Sequence, residues 1–198
     1  MKTGIFGGSF NPIHNGHIEL AKKFFNKLEL DRLFIVPTYI PPHKSMKDYI
    51  FPDQRFEMCS LAVKGIDGFE VSNIEIKRHG ASYTYLTLKE LHSLYPDDEL
   101  YLLTGADMFM TLHEWKKPEV IFELSTVCGV SRNDDDTAVL EKQAEYLRSL
   151  GARTVVLDAE IITVSSTEIR NRVKNGEDIS ELVDPKVKRY IKEHNLYR

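Results

Sequence analysis

The residues most able to do chemistry in this sequence are two histidines beside a glycine turn. They lie in Gly7-Gly8-Ser9-Phe10-Asn11-Pro12-Ile13-His14-Asn15-Gly16-His17. A short apolar strand precedes the glycines and a helical pattern follows, which puts backbone N–H groups where an anion would sit. Glycine permits the turn and lets a phosphate approach the backbone closely. His14 and His17 are three apart and face one side at a helix start, so each can donate hydrogen bonds to phosphate oxygens. Neither has to act as a nucleophile. The plainer alternative is a capped helix with two surface histidines, and a zinc pair lacks an evident third ligand. The turn is not the Gly-X-Gly-X-X-Gly dinucleotide fingerprint, and no Gly-Lys-Ser/Thr follows to make a Walker loop.

A second anion-binding pattern stands near the other end, in Val164-Ser165-Ser166-Thr167-Glu168-Ile169-Arg170. Ser165 and Glu168 have capping-box spacing, so a helix starts here with free N–H groups and three hydroxyls. Arg170 adds a permanent cation about one turn later. Alone, this stretch would be no more than good helix capping. Asp107 follows an apolar strand and the turn Thr104-Gly105-Ala106. It therefore sits where ligands bind in open parallel sheets, although a turn-capping role is the structural alternative. Trp115, the one tryptophan, lies in a polar stretch without helical apolar partners. It is either a core residue or a flat platform for an aromatic ligand. Cys59 and Cys128 fall on apolar patterns and read as core residues, not nucleophiles.

Alternating strands and helices must position these groups. Short apolar runs at Thr3 to Phe6, Leu33 to Val36, Leu100 to Leu103, Thr126 to Val130 and Thr154 to Leu157 read as buried strands. Helical spacing connects Ile18, Ala21, Phe25 and Leu28; Tyr85, Leu88, Leu91 and Tyr95; and Leu140, Ala144 and Leu147. Asp53 is expected to cap a helix that turns Phe56, Cys59 and Val63 inward. Phe69 to Ile76 reads as extended with a bend, because its apolar parity shifts between Val71 and Ile74. Pro37 to Pro52 holds four of the eight prolines and reads as a long functional loop. Two helices close the chain, one from Ser165 to Asn175-Gly176 and one from Asp184-Pro185. The expected fold is α/β: a Rossmann-like parallel sheet with helices on both faces and a small helical C-terminal part over 164–198, all within one domain.

Composition narrows the function classes. The 198 residues are 42% hydrophobic and 28% charged, an ordinary globular balance for one domain. A net charge of −4 provides no basic field or stripe for nucleic acid, so anion binding has to be local. No apolar run approaches the roughly eighteen residues of a membrane span. Met1 to Phe10 reads as a strand and not as an export segment, and two distant cysteines suggest a reducing cytoplasm. A homo-oligomer is compatible with all of this.

Gly-Ser-Phe-Asn-Pro-X-His-X-Gly-His resembles the signature of the nucleotidyltransferase superfamily related to class I tRNA synthetases. Val164-Ser165-Ser166-Thr167-X-X-Arg170 is similar to its Ile-Ser-Ser-Thr-X-X-Arg motif, with valine as the one change. Three further segments resemble the bacterial nicotinate-mononucleotide adenylyltransferase family in particular. They are Val36-Pro37-Thr38 with Pro41-Pro42-His43-Lys44; Ser82-Tyr83-Thr84; and Gly105-Ala106-Asp107 with Leu112-X-X-Trp115-Lys116. The likeness runs on to Val187-X-X-Tyr190-Ile191 and Asn195-Leu196-Tyr197, spanning nearly the whole chain.

This resemblance implies adenylyl transfer from ATP to nicotinic acid mononucleotide, giving deamido-NAD and pyrophosphate. It implies that His14, His17 and Arg170 are catalytic, contacting the triphosphate and stabilising charge during transfer. Gly7, Gly8, Ser9, Phe10, Gly105, Asp107, Ser165, Ser166 and Thr167 would hold ATP. Asn11, Lys44, Thr84 and Trp115 would hold the mononucleotide, with Lys44 on its phosphate, Thr84 on the pyridine acid group and Trp115 stacked on the ring. Otherwise Thr84 is an ordinary helix N-cap and Lys44 a solvated lysine. Mg²⁺ is expected to arrive with ATP, keeping mostly water and phosphate ligands, with no metal held by the protein alone. One departure stands out: many relatives have Asp two residues after the threonine, where this chain has Leu86. The rival readings are a phosphopantetheine adenylyltransferase and a non-catalytic nucleotide-sensing module.

Overall fold

The apolar runs pair side by side into a six-stranded sheet. The computed structural model describes residues 1–42, 49–131, 134–158 and 164–198, with the side chains of 134–136 left aside. The strands are β1 (Lys2–Gly8), β2 (Arg32–Pro37), β3 (Phe69–Val71), β4 (Glu99–Leu103), β5 (Ser125–Ser131) and β6 (Arg153–Asp158). They lie in the order β3-β2-β1-β4-β5-β6, and every neighbouring pair is parallel. This is the doubly wound order, whose direction of travel reverses between β1 and β4.

Side chains alternate across the sheet and so build two cores. Phe6, Leu33, Ile35, Cys128 and Val130 face one layer. Ile5, Phe34, Val36, Leu102 and Val127 face the other. Burial on both faces explains why the strands read as continuous apolar runs and not as alternating patterns. The first layer is covered by α1 (Asn15–Lys27), α2 (Pro52–Val63), α8 (Ser166–Lys174) and α9 (Pro185–Glu193). The second is covered by α4 (Thr84–Leu94), α5 (Ala106–Met110), α6 (Pro118–Leu124) and α7 (Asp134–Ser149). A short helix, α3 (Ile74–Arg78), follows β3.

Several local expectations change. The extended reading of Phe69 to Ile76 holds only to Val71. Ile74 begins α3, and the shift in apolar parity marks the end of a strand, not a bend within one. Tertiary contacts fix that turn of helix: the Thr87 hydroxyl donates to buried Glu75 Oε1, and Arg78 pairs with Glu90 at 2.9 Å. On α1 it is Phe24 that is fully buried, while Phe25 is half-buried and packs on Phe69. On α2 the inward face is Arg55, Met58, Cys59, Ala62 and Val63, with Phe56 half-buried. Asp53 stands in the first turn, behind an N-cap at Phe51. Tyr83 is the N-cap of α4, and Thr84 its first helical residue.

Both cysteines are buried free thiols, and burial pushes both upward, Cys128 to about 12. Among the described residues, no helix is long and apolar enough to cross a membrane.

Candidate active site

The site forms where the strand order reverses. Crossovers leave β1 and β4 in opposite directions, so a crevice opens beyond their C-terminal ends, between Gly7-Gly8 and Thr104-Gly105. A cleft of about 1020 Å³ occupies this place, enough for a two-part ligand. Its walls include every candidate residue except Lys44, which lies outside the described residues: Gly7, Gly8, Ser9, Phe10, Asn11, His14 and His17 from the first turn; Thr84; Gly105, Asp107 and Trp115; and Ser165, Ser166, Thr167 and Arg170.

Steric relations shape the first turn. Phe10 adopts a left-handed backbone, φ 44°, at a cost of about 1–3 kcal/mol that the surrounding packing has to offset. Its buried ring lies beneath Gly8, where an added Cβ would come within 2.7 Å of the ring. By contrast, a Cβ on Gly7 or Gly105 would meet nothing within 4 Å, so those backbones face open cleft from opposite walls.

The two histidines cap α1 reciprocally. The His17 backbone N–H donates to His14 Nδ1 at 3.3 Å, and the His14 N–H donates to His17 Nδ1 at 3.3 Å. Their rings stack at 3.5 Å between centroids, and Phe10 meets His17 edge-on at 5.0 Å. A nitrogen that accepts a hydrogen bond carries no proton, so neutral His14 must carry its proton on Nε2. The cap therefore selects the tautomer of His14 and leaves its Nε2–H as a donor. Burial pulls the His14 pKa down to about 4, so this ring is neutral at pH 7.

The C-terminal motif comes to the same place. Ser166 Oγ donates to Pro12 O at 2.9 Å, and Arg170 Nη1 donates to Asn11 O at 2.9 Å. Arg170 Nη2 also reaches Thr167 Oγ1 at 3.2 Å, and Ser165 Oγ accepts from Glu168 N. The hydroxyls expected to face phosphate thus also hold the motif together. The backbone N–H groups of Ser166 and Thr167 make no hydrogen bond to described residues and point from a nine-residue helix start.

The other end of the cleft is built from the loop after β2 and the start of α4. Tyr39 N donates to Ser82 Oγ at 2.9 Å, Ser82 N donates to Ile40 O at 2.9 Å, and Ile40 bridges Ala81. Trp115 is half-buried, packs its body against the second core and lines the cleft. Leu86 is half-buried one turn from this wall.

Four contributors were not read from the sequence. Arg55 is fully buried and bonds four backbone carbonyls. Tyr197 donates its hydroxyl to Asn11 Oδ1 at 2.9 Å, and Tyr49 donates to Ser9 Oγ at 2.9 Å. Glu75 lines the far end; burial pushes its carboxyl up, with the Thr87 and Ser82 hydroxyls and Arg78 acting against this. An arginine within a helical pattern, or a glutamate within an extended one, reads as solvated surface, so no local signal marked either of them. Among the described residues, no group of three His, Cys, Asp or Glu could hold a metal by itself. Among the described residues, the acidic ones on the cleft wall are Glu75, Asp107 and Glu114.

Residues 5–172 match a family model described as cytidylyltransferase-like. A probable nicotinate-nucleotide adenylyltransferase of Clostridium tetani is 38% identical over 199 residues, covering 100% of this chain and 99% of that relative. One from Carboxydothermus hydrogenoformans, similarly described, is 41% identical and covers 100% of this chain and 98% of its own. Among solved structures, Plasmodium falciparum nicotinic acid mononucleotide adenylyltransferase complexed with NaAD matches with a TM-score of 0.79. It is 20% identical and covers 100% of this chain and 98% of that one, a likeness of fold.

Proposed function

Because the chain belongs to the cytidylyltransferase-like family and, within it, to the nicotinate-nucleotide adenylyltransferases, we infer that it transfers the adenylyl group of ATP to nicotinic acid mononucleotide. The products are deamido-NAD and pyrophosphate, a step of NAD biosynthesis. The observation that carries the assignment of the site is the meeting of two motifs: Ser166 and Arg170 hydrogen-bond the backbone of Pro12 and Asn11, 154 and 159 residues away.

The mechanism is one displacement. A phosphate oxygen of the mononucleotide attacks the α-phosphorus of ATP while the bond to the bridging α–β oxygen breaks. Pyrophosphate leaves with that electron pair. Protein side chains position and stabilise and need form no covalent bond. The Nε2–H groups of His14 and His17 donate to phosphate oxygens, and Arg170 adds a fixed cation. Gly7, Gly8, Ser9, Phe10 and Gly105 let the nucleotide approach the backbone, with Ser165, Ser166 and Thr167 facing its phosphates. Mg²⁺ bound to the triphosphate would neutralise part of its charge. A cation held mainly by phosphate and water would find Asp107, in the first turn of α5 on the cleft wall, as a protein carboxylate for it or for a ribose hydroxyl.

The acceptor lies along Asn11, Thr84 and Trp115, with Lys44 on its phosphate. The N–H groups of Thr84 and Tyr85 open an eleven-residue helix and make no bond to described residues. They suit a carboxylate, which only accepts hydrogen bonds; an amide NH₂ would leave donors unpaired at about 1–3 kcal/mol. The acid mononucleotide should therefore exceed the amide by about tenfold or more in kcat/KM. Thr84→Val should narrow that margin, whereas Trp115→Ala should weaken both acceptors together. We place the enzyme in the cytoplasm, where its two free thiols remain reduced.

Pyrophosphate release from ATP, measured with the acid mononucleotide, the amide form and phosphopantetheine, tests this reading. Fastest release with the acid form is expected. Release only with phosphopantetheine, or none with any acceptor, would overturn it.

A further inference from the structure

Arg55 stands on α2, away from both phosphate motifs, yet its guanidinium is fully buried against the backbone of the active-site loops. Nη1 donates to Ser9 O at 2.7 Å, in the turn after β1. Nη2 donates to Thr38 O at 2.5 Å and Tyr39 O at 3.2 Å, in the loop after β2. Nε donates to Ile50 O at 3.4 Å, just before α2. The Tyr49 ring lies under the guanidinium at 5.7 Å from its centroid, and the Tyr49 hydroxyl returns to Ser9 Oγ. Among the described residues no carboxylate pairs with Arg55. A buried cation without a close ion-pair partner is costly; Glu75 favours its charge from beyond ion-pair distance, and carbonyls from three loop segments hold it directly.

Those segments belong to different substrates in the reading above, on which this inference rests. Ser9 lies in the donor turn. Thr38 and Tyr39 begin the acceptor loop, and Tyr39 N continues through Ser82 Oγ to the segment that starts α4. We propose that Arg55 is a positioning residue that sets the spacing between donor phosphate and acceptor phosphate by fixing both loops on one rigid planar group. A guanidinium offers a fixed fork of donors to several carbonyls at once, which a lysine ammonium cannot reproduce. In-line transfer is sensitive to displacements of about 1 Å, worth about a hundredfold in rate. Loosening the fork should therefore slow the transfer step while each ligand still binds alone.

The test compares wild type, Arg55→Lys and Ser82→Ala. Kd values for a non-hydrolysable ATP analogue and for nicotinic acid mononucleotide are measured separately by calorimetry, and kcat by single-turnover dinucleotide formation. For Arg55→Lys the expected result is a kcat lower by about a hundredfold, with each Kd within about threefold of wild type. Ser82→Ala, which cuts the next link while keeping Arg55, should lower kcat by about tenfold with the same pattern. If Arg55→Lys only lowers the melting temperature and each folded molecule keeps its kcat, the role is structural and the proposal fails. It fails equally if the loss falls on Kd and kcat is kept. Should Arg55→Lys not fold, an unchanged kcat in Ser82→Ala overturns the spacing role. Wild type making no dinucleotide would instead overturn the reading of function, which separates the two failures.

Discussion

His14 uses one ring for two tasks, and the capping task requires it neutral, because a protonated Nδ1 could not accept. Its Nδ1 caps α1 by accepting the His17 N–H, which leaves Nε2–H for a ligand. Burial lowers its pKa to about 4 from 6.5. Between those values the unfolded chain binds more protons than the fold, so stability rises with pH across this window and is lost as pH falls through it. The loss should approach about 3 kcal/mol below pH 4. His14→Asn keeps a capping acceptor without the titration. Its urea midpoint should fall less than that of wild type between pH 6.5 and 4.5; identical falls would refute the linkage. If, as proposed, His17 donates to developing charge, His17→Ala should lower turnover by about a hundredfold with the fold intact. Near-normal turnover in folded protein would remove this role. Histidines at helix spacing beside a glycine turn were legible because their meaning is local. Arg55, Glu75 and Tyr197 were not, since each acquires its partner from a distant segment: Ser9 O, the Thr87 hydroxyl and Asn11 Oδ1.

Helix α8 shows how an element can carry a site. Its N-cap, Ser165, was legible from capping-box spacing, and the bond from Glu168 N to Ser165 Oγ is present at 3.1 Å. Its docking partner was not legible. Ile169 sits fully buried on the inner face, which turns Ser166 and Arg170 toward the turn after β1. If, as proposed, the cation and the helix start serve the triphosphate, Arg170→Ala should weaken ATP binding much more than mononucleotide binding. Calorimetry that gave equal losses for both ligands would reject that assignment. Long amphipathic helices such as α1, α4 and α7 were readable from period alone. Short ones were not: α5, α6 and the helical turn Leu112–Glu114 are too brief to display a period, and α6 starts from Lys117 in the left-handed region. α3 was hidden because Glu75 is held by Thr87, a contact no local pattern announces.

For the molecule as a whole, composition and alternation gave a parallel sheet covered on both faces, but not which strand neighbours which. The order β3-β2-β1-β4-β5-β6 places the reversal between β1 and β4, and that reversal opens the cleft. The C-terminal part completes it: Ile179 and Val183 between α8 and α9, Val187 and Ile191 on α9 and Leu196 after it join the first core, and the Tyr197 hydroxyl reaches Asn11. In the proposed reading, the turn after β1 holds the donor and the start of α4 the acceptor across one crevice, and the transfer is a single direct displacement. Stereochemistry at phosphorus measures that claim most directly. With ATP made chiral by sulfur at the α-phosphorus and nicotinic acid mononucleotide as acceptor, one in-line displacement must invert the configuration in the dinucleotide. Inversion is the predicted result; retention would require two displacements through a covalent enzyme intermediate and would contradict the account.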